Sequence, residues 1–534
     1  MNEYADQYQT ATPQETGKPA DAAQPKLTPE EKEQRLLHFR FFGIGSLLYA
    51  FFYTFCLYKN PSGITYPFFI GGTLCFFFLS LKKFGISAKK SSVFYIASLL
   101  LLGISNFCTD DANIIAFNKI GILILSFVLL LHNIYDDSRW ELPTYMNNIC
   151  RLLWGTVCTI GRPFSDLRLY MEKRKLLKEE NGSKGKYIFL GILISIPLLL
   201  FVILLLASAD VVFDSVMNSF FSFNYIPNHF FGICFTILTV SLVSYCISAY
   251  LEKRKPAGAV SNKRTGEPAL AITVTSALSA VYLLFSGIQI VYLFFGGMEL
   301  PYHYTYAEYA RKGYFQLLFV CVMNLMLVLI CLGRFKEHKA LKVILTVISL
   351  CTYIMIASSA MRMIMYIRCY ALTFLRIFVL WSLAVIFLLM TGIIISIYKG
   401  HFPLFKYSMV MVTVLYLGLS FSHPDYWIAK YNLGILSVSE KSGRCADGRY
   451  LSKLSADAAP ILLNAETLET YYQDMEKDED GRLADREGPW LADYIRSVQS
   501  HTEHIEKEGT KIRTFNISRF LAKRYISAAS SLQQ

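Results

Sequence analysis

The sequence predicts an all-α, polytopic membrane protein with about 11 transmembrane helices (10–12) and a small, mainly helical soluble C-terminal tail. Runs of about twenty mostly apolar residues, each long enough to cross a bilayer, follow one another from about residue 40 to about residue 423. One of them, 187–207, carries no charged residue. Charged residues make up only 17% of the chain, whereas a soluble domain carries about 25%.

The predicted elements begin with a polar segment. Residues 1–38 are rich in Pro, Ala and Gln without periodicity, which predicts a disordered cytoplasmic tail. The transmembrane bundle is predicted over 39–423. Its spans are predicted at 40–58, 63–81, 92–108, 112–132, 187–207, 229–249, 271–295, 314–333, 341–361, 373–397 and 408–423. The stretch 361–372 is apolar but contains two arginines, so it either extends the ninth span or forms a re-entrant segment.

Lysine and arginine residues are distributed unevenly between the two sets of alternating loops. The set that includes the N-terminal tail and the loop 133–186 holds roughly thirty of them, against about six in the other set. By the positive-inside rule this set is cytoplasmic, and an odd number of spans then places the C-terminal tail outside. The net charge of +12 is therefore interpreted as topology and attraction to lipid, without nucleic acid as a partner.

The basic loop 133–186 contains apolar residues at helical spacing around Trp154. They are Met146, Ile149, Leu152, Leu153, Val157 and Ile160. Two interpretations stay open: a helix that lies flat in the inner membrane interface, or a short helix packed under the bundle. The stretch 167–186 that follows is predicted to be a charged, solvated helix.

The C-terminal tail, 424–534, is hydrophilic and has helical periodicity at 455–475 and 489–508. We expect it to form a small soluble helical domain, extracytoplasmic by the charge rule and resting on the membrane. His501 and His504 lie on one face of the second helical stretch, and we interpret them as solvated.

An acidic segment of the tail resembles a calcium-binding loop. Oxygen ligands and a turn glycine stand at suitable spacing in Glu476, Asp478, Asp480, Gly481 and Glu487. Position one is Glu instead of Asp, which is too long for that corner of the loop, and acidic surface linkers are common. A solvated linker is therefore the preferred interpretation, and no metal or cofactor is predicted.

Ionisable residues near the ends of the spans are the candidate site, because a charge at the hydrocarbon boundary is costly unless it is paired or hydrated. All of them fall at the predicted outer face. They are Asp210, Asp214, Glu308, Tyr309, Arg311, Arg362, Arg368 and Arg376. The functional interpretation is a polar pocket for a charged ligand or a partner segment. The structural interpretation is a set of salt bridges that lock helix ends together.

Two polar residues lie within the predicted spans, Gln289 and Asn324. An amide in a membrane helix usually bonds to a neighbouring helix, so we interpret both as packing contacts. No short motif for nucleotide binding, metalloprotease or α/β-hydrolase chemistry is present. The spans show no Ser/His or paired Asp constellation of the kind intramembrane proteases use. The sequence therefore predicts no enzyme.

Several pieces of the chain, in order, resemble an uncharacterised family of multi-pass bacterial membrane proteins, the DUF4153/DUF4173 group. The pieces are LLASADVVFDSV (205–216), TYAEYARKGYFQL (305–317), RMIMYIRCYALTFLR (362–376), DYWIAKYNL (425–433), GRYLSKLSADAAPILL (448–463) and TFNISRF (514–520). The resemblance implies a protein of the bacterial cell membrane and no particular reaction. It adds Asn432 and Asn516 to the candidate residues.

Three functions remain open on this basis. The first is a non-enzymatic sensor or scaffold of the cell envelope, which binds a ligand or an envelope protein at its outer face. The second is a secondary transporter of a small solute, although the nearly uncharged helix centres disfavour ion-coupled transport. The third is an enzyme of the outer leaflet that acts on a lipid-linked substrate, with Glu308 or Asp210 as acid or base.

Overall fold

The computed structural model consists, in the residues it describes, of helices joined by loops. These residues are 28–137, 140, 142–176, 230–252, 264–291, 313–399, 402–442, 448–464, 467–469, 490–508 and 512–532, with single positions between 191 and 213. In this part of the chain the only β-type contact is one isolated bridge between Gly266 and Phe335. The prediction of an all-α polytopic fold is confirmed.

The helices of the bundle follow the apolar runs closely. They are α1 (Pro29–Leu57), α2 (Thr65–Lys83), α3 (Ser92–Cys108), α4 (Ala112–Ile134), α5 (Leu142–Cys158), α6 (Arg162–Leu176), α7 (Phe230–Glu252), α8 (Pro268–Gln289), α9 (Tyr314–Arg334), α10 (Lys339–Tyr370), α11 (Phe374–Tyr398) and α12 (Leu404–Phe421). Among the described residues, nine helices are long and apolar enough to cross a membrane, and α3 is a shorter apolar helix. The predicted span 187–207 lies mostly outside the described residues.

Helix α1 begins at Pro29, about ten residues before the predicted end of the disordered tail at residue 38. The reason is a capping box. The Thr28 hydroxyl accepts from the Glu31 N–H, and the Glu31 carboxylate accepts from the Thr28 N–H. These bonds satisfy N–H groups that the first turn of a helix leaves without partners, and the proline in that turn has no N–H to satisfy. Polar residues therefore join the helix.

The stretch 361–372 extends the ninth span, because α10 is one continuous helix of 32 residues. It ends at Tyr370, and the residue that caps it, Ala371, has a φ of +67° in the region that favours glycine. Helix α11 starts three residues after Ala371. The two arginines therefore lie on the last turns of a long helix, and the segment is not re-entrant.

The bundle has two main packed regions. Helices α8, α9, α10 and α11 share a core around Ile348, Met355 and Met363. Helices α2, α3, α4 and α12 share another around Leu99 and Leu102, while α1 packs between α2 and α7. Gln289 and Asn324 join helices as expected: Ser358 donates to Gln289 (2.7 Å), and Asn324 donates to Thr352 (3.0 Å).

Helices α5 and α6 lie at one end of the bundle, which we call the basic end because it also carries the lysine-rich α2–α3 loop. Asp166 on α6 pairs with Arg35 on α1 and accepts from Tyr245 on α7 (2.7 Å). Helix α5 packs on α7, where Gly155 lies against the Tyr250 ring and has no room for a Cβ atom.

The face of α5 that points away from the bundle is apolar and exposed. It presents Met146, Leu153, Trp154 and Val157, with Trp154 72% exposed, and Ile160 just after the helix is exposed as well. Leu152 on the opposite face is buried. This two-sided arrangement suits a helix in the plane of the membrane interface, one of the two interpretations left open by the sequence.

The C-terminal residues form a separate hydrophobic core. Their helices are α13 (Pro424–Ser442), α14 (Gly448–Leu451), α15 (Ala459–Leu462), α16 (Trp490–Glu508) and α17 (Ile517–Leu532), with a 3₁₀ turn at Ala456–Ala458. Tyr494, Leu491 and Leu462 are buried at its centre. This C-terminal domain packs on the end of the bundle opposite the basic end, and we call that end the tail end.

Candidate functional site

Four of the eight charged-cluster candidates lie within the described residues: Asp210, Arg362, Arg368 and Arg376. The others lie outside them, namely Asp214, Glu308, Tyr309 and Arg311, as do the calcium-loop candidates Glu476, Asp478, Asp480 and Glu487. Of the proposed pocket, the structure therefore describes three arginines and one carboxylate.

The three arginines lie at the same end of α10 and α11 and have different surroundings. Arg362 is buried and donates to Gln289 Oε1 (3.4 Å) inside the bundle. Arg376 donates to the carbonyls of Tyr370 (2.6 Å) and Ala371, and its guanidinium lies 4.4 Å from the centre of the Tyr366 ring. Arg368 is exposed.

Asp210 is exposed and accepts from the backbone N–H of Phe213 (2.8 Å). This contact is local, and so are the contacts described for Arg376. Asp210 and Arg376 therefore behave as helix-end groups, whereas Arg362 bonds across to Gln289 on α8. The tail end contains a different set of charges that is much more deeply buried.

The two asparagines added by the family resemblance lie at the tail end, where the C-terminal domain contacts the bundle. Asn432 on α13 bonds to Leu372 at the α10–α11 turn through both amide atoms, accepting from its N–H (2.8 Å) and donating to its carbonyl (3.0 Å). Asn516 donates to the carbonyl of Thr109 (2.9 Å) and accepts from the N–H of Ser518 (3.0 Å) at the start of α17. Both residues fasten the C-terminal domain to the bundle.

Replacing Asn432 with Ala is expected to weaken docking of the domain by about 2–3 kcal/mol, since it leaves the N–H and C=O of Leu372 without their partners. The reporter is hydrogen–deuterium exchange of the Ile64 amide, which donates to the Phe515 carbonyl (2.8 Å) across the interface. Asn113→Ala, an exposed site on α4, is the matched control. Unchanged Ile64 exchange in the Asn432 variant would contradict this role.

At the centre of the interface lies a group of buried charges that we call the acidic interface cluster: Asp110, Asp111, Asp425, Asp457 and Arg519. Asp110 and Asp111 form the loop between α3 and α4. Asp425 opens α13, Asp457 lies in the 3₁₀ turn and Arg519 lies on α17. All five residues are at most 7% exposed. In the part of the chain that the structure describes, four buried carboxyl groups thus share one interface with the buried guanidinium of Arg519.

Asp457 is the most heavily bonded of the four. Its carboxylate accepts from the Thr109 hydroxyl, from the Asp110 N–H (2.9 Å) and from the Ser518 hydroxyl. His423 Nδ1 lies 3.0 Å from its Oδ2. Burial acts to raise the pKa of Asp457, but the hydrogen bond and charge of His423 and the hydroxyl donors hold it below its ordinary value. Asp457 is therefore ionised.

Arg519 connects the domain to two loops of the bundle. Its guanidinium donates to Asp110 Oδ1 (2.8 Å) and to the hydroxyl and carbonyl of Ser62 (3.2 and 2.6 Å) in the α1–α2 loop. It also donates to the Thr514 carbonyl (2.8 Å) in its own segment. Because an arginine presents five N–H donors in a planar fork, one side chain can hold all of these acceptors together.

Hydrogen bonds and positive charges offset the cost of burial less fully for the other three carboxyl groups of the cluster. Burial raises the pKa of Asp110 to about 6, and burial together with the charge of Asp425 raises that of Asp111 to about 7. Burial also raises the pKa of Asp425, which accepts from the Ser455 N–H (2.9 Å). Asp111 Oδ1 caps α4 through the Asn113 N–H (2.8 Å), but its buried Oδ2 has no hydrogen-bond partner among the described residues.

Three further titratable groups face the cluster. His423, half-buried beside Asp457, has a raised pKa because that carboxylate accepts its hydrogen bond. Tyr494 on α16 donates to the Ser455 carbonyl (2.9 Å), and burial raises its pKa well above the ordinary value. His501 on α16 is largely exposed, with Nε2 at 3.9 Å from Asp110 Oδ2. Titratable groups from both the bundle and the domain therefore face the acidic interface cluster.

The acidic interface cluster was not among the residues predicted from the sequence, apart from neighbours such as Asn516. Asp110 and Asp111 stand between two predicted spans in a predicted outer loop, so their side of the membrane was predictable. Their partner Arg519 is 409 positions away from Asp110. Among the described residues, no group of three or more His, Cys, Asp or Glu side chains is arranged to hold a metal ion.

Comparison with known proteins gives one match. A family model described as "Domain of unknown function (DUF4153)" matches residues 96–465, which covers α4 to α15 and part of α3 and includes four members of the acidic interface cluster. The match begins well before the first piece of sequence that resembles the family, and the TFNISRF piece with Arg519 lies beyond its end. No curated protein and no solved structure matches the chain. Since the family model covers more than half of its length, the chain belongs to the DUF4153 family.

Proposed function

We propose that the protein is an integral membrane sensor whose C-terminal domain docks on the bundle in a pH-dependent way. The observation that carries the proposal is the composition of the acidic interface cluster, with four buried carboxyl groups and one buried guanidinium. Full ionisation would leave several negative charges buried together, which is strongly unfavourable. Docking therefore requires some of these groups to retain protons.

The proposal includes a place in the cell. The protein would lie in the bacterial cell membrane with its N-terminus in the cytoplasm, because the lysine-rich loops lie at the basic end. The C-terminal domain at the tail end would then be extracytoplasmic. The proton of that compartment is the proposed ligand, and an envelope protein that binds the domain in one of its states is the proposed partner. The role of the cluster is non-catalytic.

The direction of the pH dependence follows from the individual groups. Protonation of Asp110, Asp111 and Asp425 stabilises the docked state, since burial raises the pKa of each. This contribution is complete below the ordinary value of 3.8 and is lost as the pH rises through about 6 for Asp110 and about 7 for Asp111. The positive charge of His423 also stabilises the docked state, because its hydrogen bond to Asp457 raises its pKa there. This contribution too is lost as the pH rises.

Asp457 has the opposite effect, and only in stronger acid. Its pKa is lowered, so its contribution is present above the ordinary value of 3.8 and is lost as the pH falls below it. Docking should therefore be strongest in mild acid and weaken toward alkaline pH.

We expect exchange protection of the Ile64 amide to fall at least about tenfold between about pH 5.5 and about pH 8, because a difference of one pKa unit in one group corresponds to about 1.4 kcal/mol. The measurement uses the full chain in lipid nanodiscs, with exchange rates corrected for the intrinsic effect of pH. Protection that stays constant or rises over this range would rule out the sensor proposal.

One substitution distinguishes protonation of Asp111 on docking from a general loss of stability of the docked state. Asp111→Asn keeps a good helix cap for α4 but removes one ionisable group. We expect protection of Ile64 at about pH 8 to rise by about tenfold in this variant, with a smaller dependence on pH. Asp493→Asn, at an exposed position of α16, is the matched control. Equal pH profiles for the Asp111 variant and the control would show that Asp111 does not titrate on docking.

A further inference from the structure

A serine, a histidine and an aspartate are joined by hydrogen bonds at the basic end, far from the acidic interface cluster. Ser91 Oγ lies 2.7 Å from His132 Nε2, and His132 Nδ1 lies 2.6 Å from Asp137 Oδ2. Ser91 immediately precedes α3, His132 lies on the last turn of α4, and Asp137 lies in the loop after it. Ser91 and His132 are 41 positions apart, which is why the sequence showed no Ser/His constellation.

Ser91 stands at the N-cap position of α3, yet its side chain makes no capping bond to that helix. The hydroxyl contacts the histidine instead. Ser91 is exposed, whereas His132 and Asp137 are 2% and 3% exposed. An accessible hydroxyl in front of a buried imidazole and a buried carboxylate is the arrangement in which a serine becomes a nucleophile.

The carboxylate is fixed and charged. Tyr145 on α5 donates to Asp137 Oδ2, while Lys89 Nζ and Lys406 Nζ lie 3.6 and 3.9 Å from its Oδ1. Burial acts to raise the pKa of Asp137, but the hydrogen bonds from His132 and Tyr145 and the neighbouring positive charges lower it to about 2. An ionised Asp137 next to Nδ1 favours the tautomer with the proton on Nδ1, which leaves Nε2 as the base toward Ser91.

We propose that Ser91, His132 and Asp137 form a catalytic triad that hydrolyses carboxylic esters of anionic lipids at the basic end of the bundle. This activity is additional to the proposed sensor function and independent of it. His132 takes the Ser91 proton as Oγ bonds to the ester carbonyl carbon. The ester C–O bond then breaks, and the proton passes to the leaving alcohol. His132 then takes a proton from water as the water oxygen bonds to the carbonyl carbon of the acyl-serine. The bond to Ser91 Oγ breaks, the acid is released, and His132 returns the proton to Ser91 Oγ.

The position of the triad determines the substrate class. Ser91 lies at the start of the apolar helix α3, at the basic end of the bundle, and Val93 in the first turn of that helix is 66% exposed. The loop before it carries Lys82, Lys83, Lys89 and Lys90. Lysines of this kind attract phosphate groups of anionic lipids, and the apolar helix surface accommodates their acyl chains.

The test uses the purified full chain in nanodiscs and a long-chain alkyl fluorophosphonate. Attack by Ser91 Oγ on phosphorus displaces fluoride and leaves a stable adduct, which peptide mass spectrometry locates. We expect the adduct on Ser91, none in Ser91→Ala, and labelling at least about 100-fold slower in His132→Gln and Asp137→Asn, as expected for loss of a general base or its orienting carboxylate. Absence of an adduct on Ser91 in the natural chain would refute the proposal.

Ser80→Ala is the matched control, since the Ser80 hydroxyl lies at the same end of the bundle and donates to the Phe76 carbonyl of its own helix (2.7 Å). It should be labelled at the natural rate. Thermal unfolding of each variant identifies any that fail to fold, and Ser91→Ala, an exposed site, should unfold as the natural chain does. Equal labelling of natural chain and folded His132→Gln would also refute the triad, because an unactivated serine would then be reacting.

Discussion

Replacing Arg519 with Met should release the C-terminal domain from the bundle, with a loss of docking free energy of about 3–5 kcal/mol. The substitution keeps most of the apolar stem but removes the charge opposite Asp110 and the donors to Ser62 and Thr514. At about pH 8, above the raised pKa of about 6, Asp110 is ionised and is then left buried without its cation, which is the main source of the loss. Exchange of the Ile64 amide should accelerate by about two to four orders of magnitude.

Arg524→Met provides the control, because Arg524 lies on the same helix but is exposed. Its exchange should match that of the natural chain. A second variant, Asp110→Asn combined with Arg519→Met, removes the unpaired charge and should recover part of the lost docking energy. If the double variant were no better than Arg519→Met alone, the Asp110–Arg519 pair would not be what holds the domain in place.

The second large effect is expected for Asp457→Ala. This change removes the acceptor shared by the Thr109 hydroxyl, the Asp110 N–H and the Ser518 hydroxyl, and it removes the partner of His423. Buried donors without an acceptor each cost about 1–3 kcal/mol, so we expect a loss of docking free energy of about 3–5 kcal/mol. Protection of the amides at both Ile64 and Asp110 should decrease.

Asp493→Ala on the exposed side of α16 is the control for Asp457→Ala. An isosteric Asp457→Asn variant should lose less docking energy, because one of its side-chain atoms remains an acceptor. A hydrogen-bonded anion predicts the weakest docking in Asp457→Ala, intermediate docking in Asp457→Asn and the strongest docking in the natural chain. A loss as large in Asp457→Asn as in Asp457→Ala would indicate that the negative charge alone is important.

Helix positions were predictable because their cause is local. The spans at 314–333 and 373–397 agree with α9 and α11 within about one residue at each end, since an apolar run of membrane length specifies its own helix. The tail helix predicted at 489–508 corresponds to α16 for the same reason. The exception at α1 is also local: a capping box at Thr28 and Glu31 extended the helix into polar sequence.

The candidate site was less predictable. The distribution of Lys and Arg between the loops predicted on which side of the membrane the charged residues lie. The sequence did not indicate which residues they would contact. Arg376 on α11 satisfies carbonyls at the end of the preceding helix, α10. Asp110, an inconspicuous loop residue, instead meets Arg519, which lies 409 positions away. The family resemblance did single out Asn432 and Asn516, and only the contacts of these residues revealed what they join.

The sequence by itself determined an all-α membrane protein, its helices and the asymmetry of its basic loops, because hydropathy and helix capping act over a few neighbouring residues. Only the tertiary structure decided which polar groups meet. Asp457 with Thr109, Arg519 with Ser62, and Ser91 with His132 are brought together by helix packing across tens to hundreds of positions. No local pattern encodes such pairs, since each side chain on its own is an ordinary loop or helix-end residue.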